Sequence, residues 1–131
     1  MTISLTTVAM NARLAGLRDL IDAGSGTAAI LLLSGARPAT GATYAGSILV
    51  RIDLPNPCGS VADGALTLTV GDWGNVLASG DIAWARIVSR DGIVIADLGV
   101  GLSGSGADIE INSLTVFAGG LIAITAAILR E

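Results

Sequence analysis

The apolar residues of this chain recur in short runs, and the spacing of those runs changes once. Met10, Leu14, Leu17 and Ile21 follow one another at steps of four, three and four, which is one face of an α-helix. After Gly24 the helical spacing does not return. Short apolar runs follow instead, several of them alternating with polar residues and divided by glycine, proline or Asp-Gly. One helical segment followed by many strand-length segments restricts the chain to mainly-β folds. Helices do not alternate with strands, so a parallel α/β sheet is disfavoured.

The expected elements follow from this punctuation. Thr6 or Thr7 is a helix N-cap, the helix occupies 7–23, and Gly24 closes it in the left-handed conformation. Residues 28–33 read as a buried strand, followed by the break Arg37-Pro38-Ala39-Thr40-Gly41. Residues 48–54 alternate, with Ile48, Val50, Ile52 and Leu54 on one face and Arg51 and Asp53 on the other, until Pro55 and Pro57 end the strand. Residues 65–70 alternate again, and Trp73 opens a loop through Gly74 and Gly80. Strands at 82–89 and 93–98 are joined by Arg90-Asp91-Gly92, whose Asp-Gly pair supplies the positive φ angles of a hairpin turn. A glycine-serine loop covers 99–106, short strands cover 108–112 and 114–117, and Gly119-Gly120 turns the chain into a last strand at 121–129. With 131 residues this makes one domain: an arm at 1–6, a helix at 7–23 and an antiparallel β-sandwich or jelly roll over 27–131.

The charged residues narrow the chemistry. The seven cationic residues are all arginine, and histidine is absent. That removes the imidazole general base, the lysine Schiff base and phosphate-loop lysine, and histidine metal ligands. Cys58 is the single cysteine, so no internal disulfide forms, and no cationic neighbour in sequence activates its thiol. It reads as a loop or half-buried thiol beside two prolines. A net charge of −4 with scattered arginines lacks the basic stripe of a nucleic-acid binder.

Three motifs invite chemical readings. Gly99-Val100-Gly101-Leu102-Ser103-Gly104 matches G-x-G-x-x-G, but the continuation is strand-like, and a dinucleotide site needs a helix there. Asp108 and Glu110 lie two apart and share a strand face. A carboxylate pair suits glycoside hydrolysis, and with ligands from 103–108 it suits a weak cation site, yet alternation with Ile109 and Ile111 favours plain solvent exposure. Trp73 and Trp84 suit sugar stacking, although with four aromatic residues in the chain core anchoring is the simpler use. Arg86 and Arg90 flank the hairpin tip and read as solvated or interface residues. The expectation is therefore no catalytic residues, no cofactor and no metal.

Mean hydropathy is +0.75 and 52% of the residues are apolar. No apolar run approaches the ~20 residues of a spanning helix, so the surplus is expected to be buried against partners rather than lipid. The two ends are the expected contact elements: Ile3 and Leu5 in the arm, and the last strand, read as apolar on both faces, with Ile122, Ile124 and Ile128 on one and Leu121, Ala123 and Leu129 on the other.

The order of the segments carries a resemblance. Arg13-Leu14-Ala15-Gly16-Leu17-Arg18-Asp19-Leu20-Ile21-Asp22-Ala23-Gly24 leads through Ser25-Gly26 to a short strand, then to Ser34-Gly35-Ala36-Arg37-Pro38-Ala39-Thr40-Gly41. Gly64-Ala65-Leu66-Thr67, Ala83-Trp84-Ala85-Arg86-Ile87-Val88-Ser89-Arg90-Asp91-Gly92 and Asp108-Ile109-Glu110-Ile111-Asn112-Ser113 follow. Over nearly the whole chain this resembles small structural proteins of tailed bacteriophages, a group that includes capsid cement, or decoration, proteins with jelly-roll-like folds. The resemblance implies a non-enzymatic virion protein on the capsid surface, made in the host cytoplasm. Its implied partners are its own copies and the major capsid protein, with neither nucleic acid nor membrane. A tail or baseplate component, or a carbohydrate- or receptor-binding β-sandwich using Trp73 and Trp84, are the alternatives.

Overall fold

The structure is a computed structural model that describes residues 4–71 and 73–130, apart from the Trp73 side chain. It is mainly β, with 42% of residues in strands and 13% in one helix. Helix α1 spans Thr7–Asp22. Thr6 caps it, its side-chain oxygen accepting from the Ala9 amide at 3.2 Å. At the other end Gly24 takes φ +109°. The predicted stripe faces inward: Leu14 and Ile21 are buried and Leu17 packs against them.

The strands are β1 (Ala29–Leu33), β2 (Ile48–Asp53), β3 (Gly59–Ala62), β4 (Ala65–Leu68), β5 (Trp73–Asn75), β6 (Gly80–Asp81), β7 (Trp84–Val88), β8 (Val94–Leu102), β9 (Ile109–Ile111), β10 (Thr115–Val116) and β11 (Leu121–Arg130). The main sheet runs β2-β1-β7-β8-β9-β11-β4-β3, with β5 also paired to β11, while β6 and β10 form a separate ribbon. Pairing is antiparallel except between β8 and β9. The sheet curls until its edge strand β2 meets β5. Directly after β5, Val76 bridges Val50 of β2, and the Leu77 amide donates to the Leu49 carbonyl at 2.7 Å. Ile30, Leu32, Val50, Ile87, Ile109, Ile111, Ile122 and the helix stripe fill the interior. The mainly-β expectation, with one N-terminal helix, therefore holds.

Several local expectations are corrected. Strand β8 continues through Gly99 and Gly101 to Leu102, so the glycine loop shrinks to 103–108 and returns the chain to a parallel partner. Residues 73–75 form a strand rather than a loop, because β11 offers them a pairing edge. Strand β3 was not foreseen; it pairs with β4 across Asp63-Gly64, both at positive φ (52° and 76°), the geometry of a two-residue hairpin loop. Cys58 is fully buried rather than half-buried, covered by α1: its amide donates to Asp22 Oδ1 at 3.0 Å, and its sulfur lies 3.9 Å from the Arg18 carbonyl. In β11 the pairing with β9 slips at Thr125. A bulge reverses the in-out phase of a strand. Ala127 and Leu129 therefore join Ile122 and Ile124 in the core, while Ile128 is only half-buried.

Candidate functional site

Of the residues expected to make contacts, Ile3 lies outside the described residues. Leu5 and Ala123 are half-buried, and Leu121 is exposed. Leu129, at 5% exposure, belongs to the chain's own core and is not a contact residue. The bulge at Thr125 is the reason, since it turns the second half of β11 inward.

Leu121 does not stand alone. The segment after β10 ends in a turn in which the Gly120 amide donates to the Phe117 carbonyl at 2.9 Å, with Gly119 at φ +83°. That turn is bonded to the segment after β5: Gly119 donates to the Val76 carbonyl and Val76 donates to the Gly120 carbonyl, both at 3.0 Å. The Ala118 amide donates to Ser79 Oγ at 2.9 Å, and Leu121 pairs with Asn75. Alternation then decides what faces out. Val76, Val116 and Ile122 are buried, so their neighbours Leu77, Phe117 and Leu121 project outward, at 60%, 72% and 61% exposure. Leu77 lies two residues beyond Asn75 on the same face, roughly 7 Å along the strand. Residues 73–80 and 115–124 carry no charged side chain. Three large apolar groups thus stand on a hydrogen-bonded frame whose own segments are uncharged, with Asp81 at its margin, bonded to Thr115. Sequence reasoning found Leu121 but not Leu77 or Phe117. The signal for Phe117 was its place just before Gly119-Gly120, where a turn leaves a bulky residue nothing to pack on.

The other candidate residues are engaged internally. Arg86 and Asp97 sit opposite each other on β7 and β8 and are 4% and 7% exposed, which corrects the solvated reading of Arg86. Arg86 Nε and Nη2 donate to Asp97 Oδ1 and Oδ2 at 2.7 and 3.1 Å. The guanidinium hydrogen bonds hold the Asp97 carboxyl below its ordinary value against the opposing effect of burial, and the Gly41 amide adds to the lowering. The same carboxylate raises Arg86 further. Trp84 is a buried anchor, edge-on to Tyr44 at 5.9 Å, and offers no open stacking face; the Trp73 side chain lies outside the described residues. Arg90 Nε donates to the Gly26 carbonyl at 2.8 Å, docking the hairpin tip on the segment after the helix.

The carboxylates of the glycine loop are also taken. Glu110 accepts from the Gly104 and Gly106 amides at 2.9 and 3.0 Å, and Asp108 accepts from the Gly99 amide at 3.2 Å. The loop amides that resembled a phosphate cradle thus close on the chain's own side chain. No cluster of three or more His, Cys, Asp or Glu residues suited to a metal ion occurs among the described residues, and no pocket opens among them. No described helix is long and apolar enough to cross a membrane. Comparison with family models, curated proteins and solved structures finds no match.

Proposed function

We propose that this chain is a non-enzymatic structural protein that acts by packing on copies of itself and on a larger protein shell, as a cement or decoration protein of a tailed-phage capsid. The observation that carries the packing function is the Leu77, Phe117 and Leu121 patch. Apolar groups on a rigid frame lose little conformational entropy on binding. Covering each of them is worth about 1.5–3 kcal/mol. The two segments that carry them are uncharged, in keeping with the composition of interface centres. The capsid assignment rests on the resemblance of the segment order to small phage structural proteins. Partners are the chain itself and a major capsid protein, and the location is the capsid surface.

The test is binding to particles. Phage capsids lacking their decoration protein are mixed with the purified chain and sedimented, and occupied positions are located by electron microscopy. The expected result is saturable binding at regular lattice positions, weakened at least tenfold in Phe117→Ser/Leu121→Ser. Binding that is equally tight in that variant sinks the patch. Absence of wild-type binding sinks the capsid assignment.

A further inference from the structure

Strand β1 is buried on both faces. Ile30 and Leu32 point into the main core, while Ala29, Leu31 and Leu33 form a second apolar cluster with Trp84, joined by Tyr44, Ile48 and Val88. That second face is covered by residues 34–47, the connection from β1 to β2. Its ends are tied together, the Ser34 amide donating to the Ser47 carbonyl and the Ser47 amide to Ser34 Oγ, both at 3.0 Å. The neck is narrow: a Cβ on Gly35 would lie 3.3 Å from the Gly46 Cα, and one on Gly46 would collide with the Ser34 carbonyl. A loop closed at its base in this way is a self-contained unit.

What holds the loop down is unlike what holds the strands. Among the described residues, none from 35 to 46 exchanges a backbone–backbone hydrogen bond with a strand. Tyr44 is its only large apolar side chain. The remaining attachments converge on one ion pair. The Gly41 amide donates to Asp97 Oδ2 at 2.9 Å, Arg37 Nη2 donates to the Asp97 carbonyl at 2.7 Å, and Arg86 Nη2 donates to the Ala42 carbonyl at 2.7 Å. The Arg86 guanidinium also lies 5.4 Å from the Tyr44 ring centre and 5.0 Å from that of Trp84. Beneath the loop, the indole Nε1–H of Trp84 is buried with no hydrogen-bond partner among the described residues, a cost that contact with water would relieve.

We propose that residues 34–47 are a strap that opens and closes over the Trp84 face as a unit, latched by Asp97, while the sheet beneath stays folded. Opening exchanges the latch bonds for bonds to water, returns water to the indole N–H and rehydrates both members of the ion pair. It breaks no strand pairing. Opening also uncovers Leu31, Leu33 and Trp84, at a cost that scales with the apolar area rehydrated. It leaves the main core in place, so it costs less than unfolding the sheet, and local opening below the global transition is the expected consequence. The Leu31, Leu33 and Trp84 surface is then conditional, hidden when the latch is closed and presented when it is released.

Hydrogen exchange on the full-length chain tests this by NMR. The reporters are the Trp84 indole N–H, assigned with Trp73→Phe, and the Gly41 amide; the reference is the amides of the β1–β7 ladder. The expected result is that indole and Gly41 exchange through a common opening at least 100-fold more often than the ladder. In Asp97→Asn the indole and Gly41 should both speed up at least tenfold and by a common factor, while the ladder, which exchanges only when the whole fold opens, speeds up by no more than that factor. Reporters that exchange only at the ladder's rate overturn the proposal, as does an Asp97→Asn variant in which indole and Gly41 keep their wild-type rates or change by different factors. Arg37→Ala removes one strap contact and leaves the ion pair whole, so it keeps the test decisive should Asp97→Asn fail to fold. Its acceleration should be smaller and shared by the indole and Gly41, and wild-type rates in this variant equally overturn the latch.

Discussion

Asp97 is the residue whose protonation state the fold most depends on. Its carboxyl is held below its ordinary value first by the Arg86 hydrogen bonds, with burial opposing. A depressed folded value stabilises the native state fully above the unfolded value of about 3.9, and that stabilisation is lost as pH falls through the folded value. Asp97 should therefore add no slope to the melting temperature between pH 7 and 5. It should contribute to the acid fall below about pH 4, which Asp97→Asn should flatten in a comparison of melting curves. Cys58 is the converse case. Burial first, then the nearby Asp22 charge, push its thiol up to about 12. At pH 8 the native chain should resist a thiol reagent for hours and react fully in denaturant; rapid native labelling would contradict the burial. The sequence marked Cys58 as unactivated but not as buried, since its cover comes from a helix 36 residues away. Arg86 reads in sequence as solvated or as salt-bridging at an interface, and its salt bridge is internal for a similar reason: only the strap, bonded to Asp97 across 56 and 60 residues, turns the outer face of β7 into an interior.

Elements set by local signals were legible, and those set by a distant partner were not. The α1 stripe, its Thr6 cap and the turn at Gly92 depend on neighbours in sequence, and each lies where the spacing put it. The Asp63-Gly64 hairpin carries the same Asp-Gly signal, but the strand before it, Gly59-Ser60-Val61-Ala62, has no alternating apolar pattern to mark it. The bulge in β11 and the parallel pairing of β9 exist only in relation to other strands, and no local pattern announces them. Two glycines separate backbone strain from helix propensity. Gly92 has φ +83° and open space where a Cβ would go, so Gly92→Val should cost about 1–2 kcal/mol through the left-handed backbone alone. Gly16 lies inside α1 with equally open space, so Gly16→Ala should stabilise by about 0.5–1 kcal/mol. Denaturant titrations measure both, and the opposite signs are the discriminating outcome. Thr6 ties the N-terminal arm to the stability of α1. Removing 1–6 takes away the helix cap, worth about 1 kcal/mol, so the melting temperature should fall whatever the arm contacts.

At the scale of the whole molecule, the apolar surplus has two destinations. The accessible surface is 6776 Å², close to the roughly 6,300 Å² that size scaling gives a folded 13.0 kDa monomer. Most of the surplus that the sequence assigned to partners is therefore absorbed internally, by a curled sheet that encloses one core and a strap that buries the other face of β1. Among the described residues Val8, Leu20, Leu102 and the adjacent Ile93 and Val94 are also exposed, but Leu77, Phe117 and Leu121 are the ones joined on one hydrogen-bonded frame. If that patch mediates self-packing, the sedimentation coefficient of the purified chain should rise with concentration. Phe117→Ser should hold it at the monomer value, with a stability change within about 0.5 kcal/mol, because an exposed turn residue supports little of the fold. The two readouts separate an interface from a folding defect: a variant that loses association and stability together has damaged the frame rather than the contact. A wild-type chain that stays monomeric to millimolar concentration would remove self-packing and leave a different protein surface as the partner for the same three side chains. Binding to that surface would still be lost in Phe117→Ser, because the patch's affinity comes from covering apolar area and not from the symmetry of the partner.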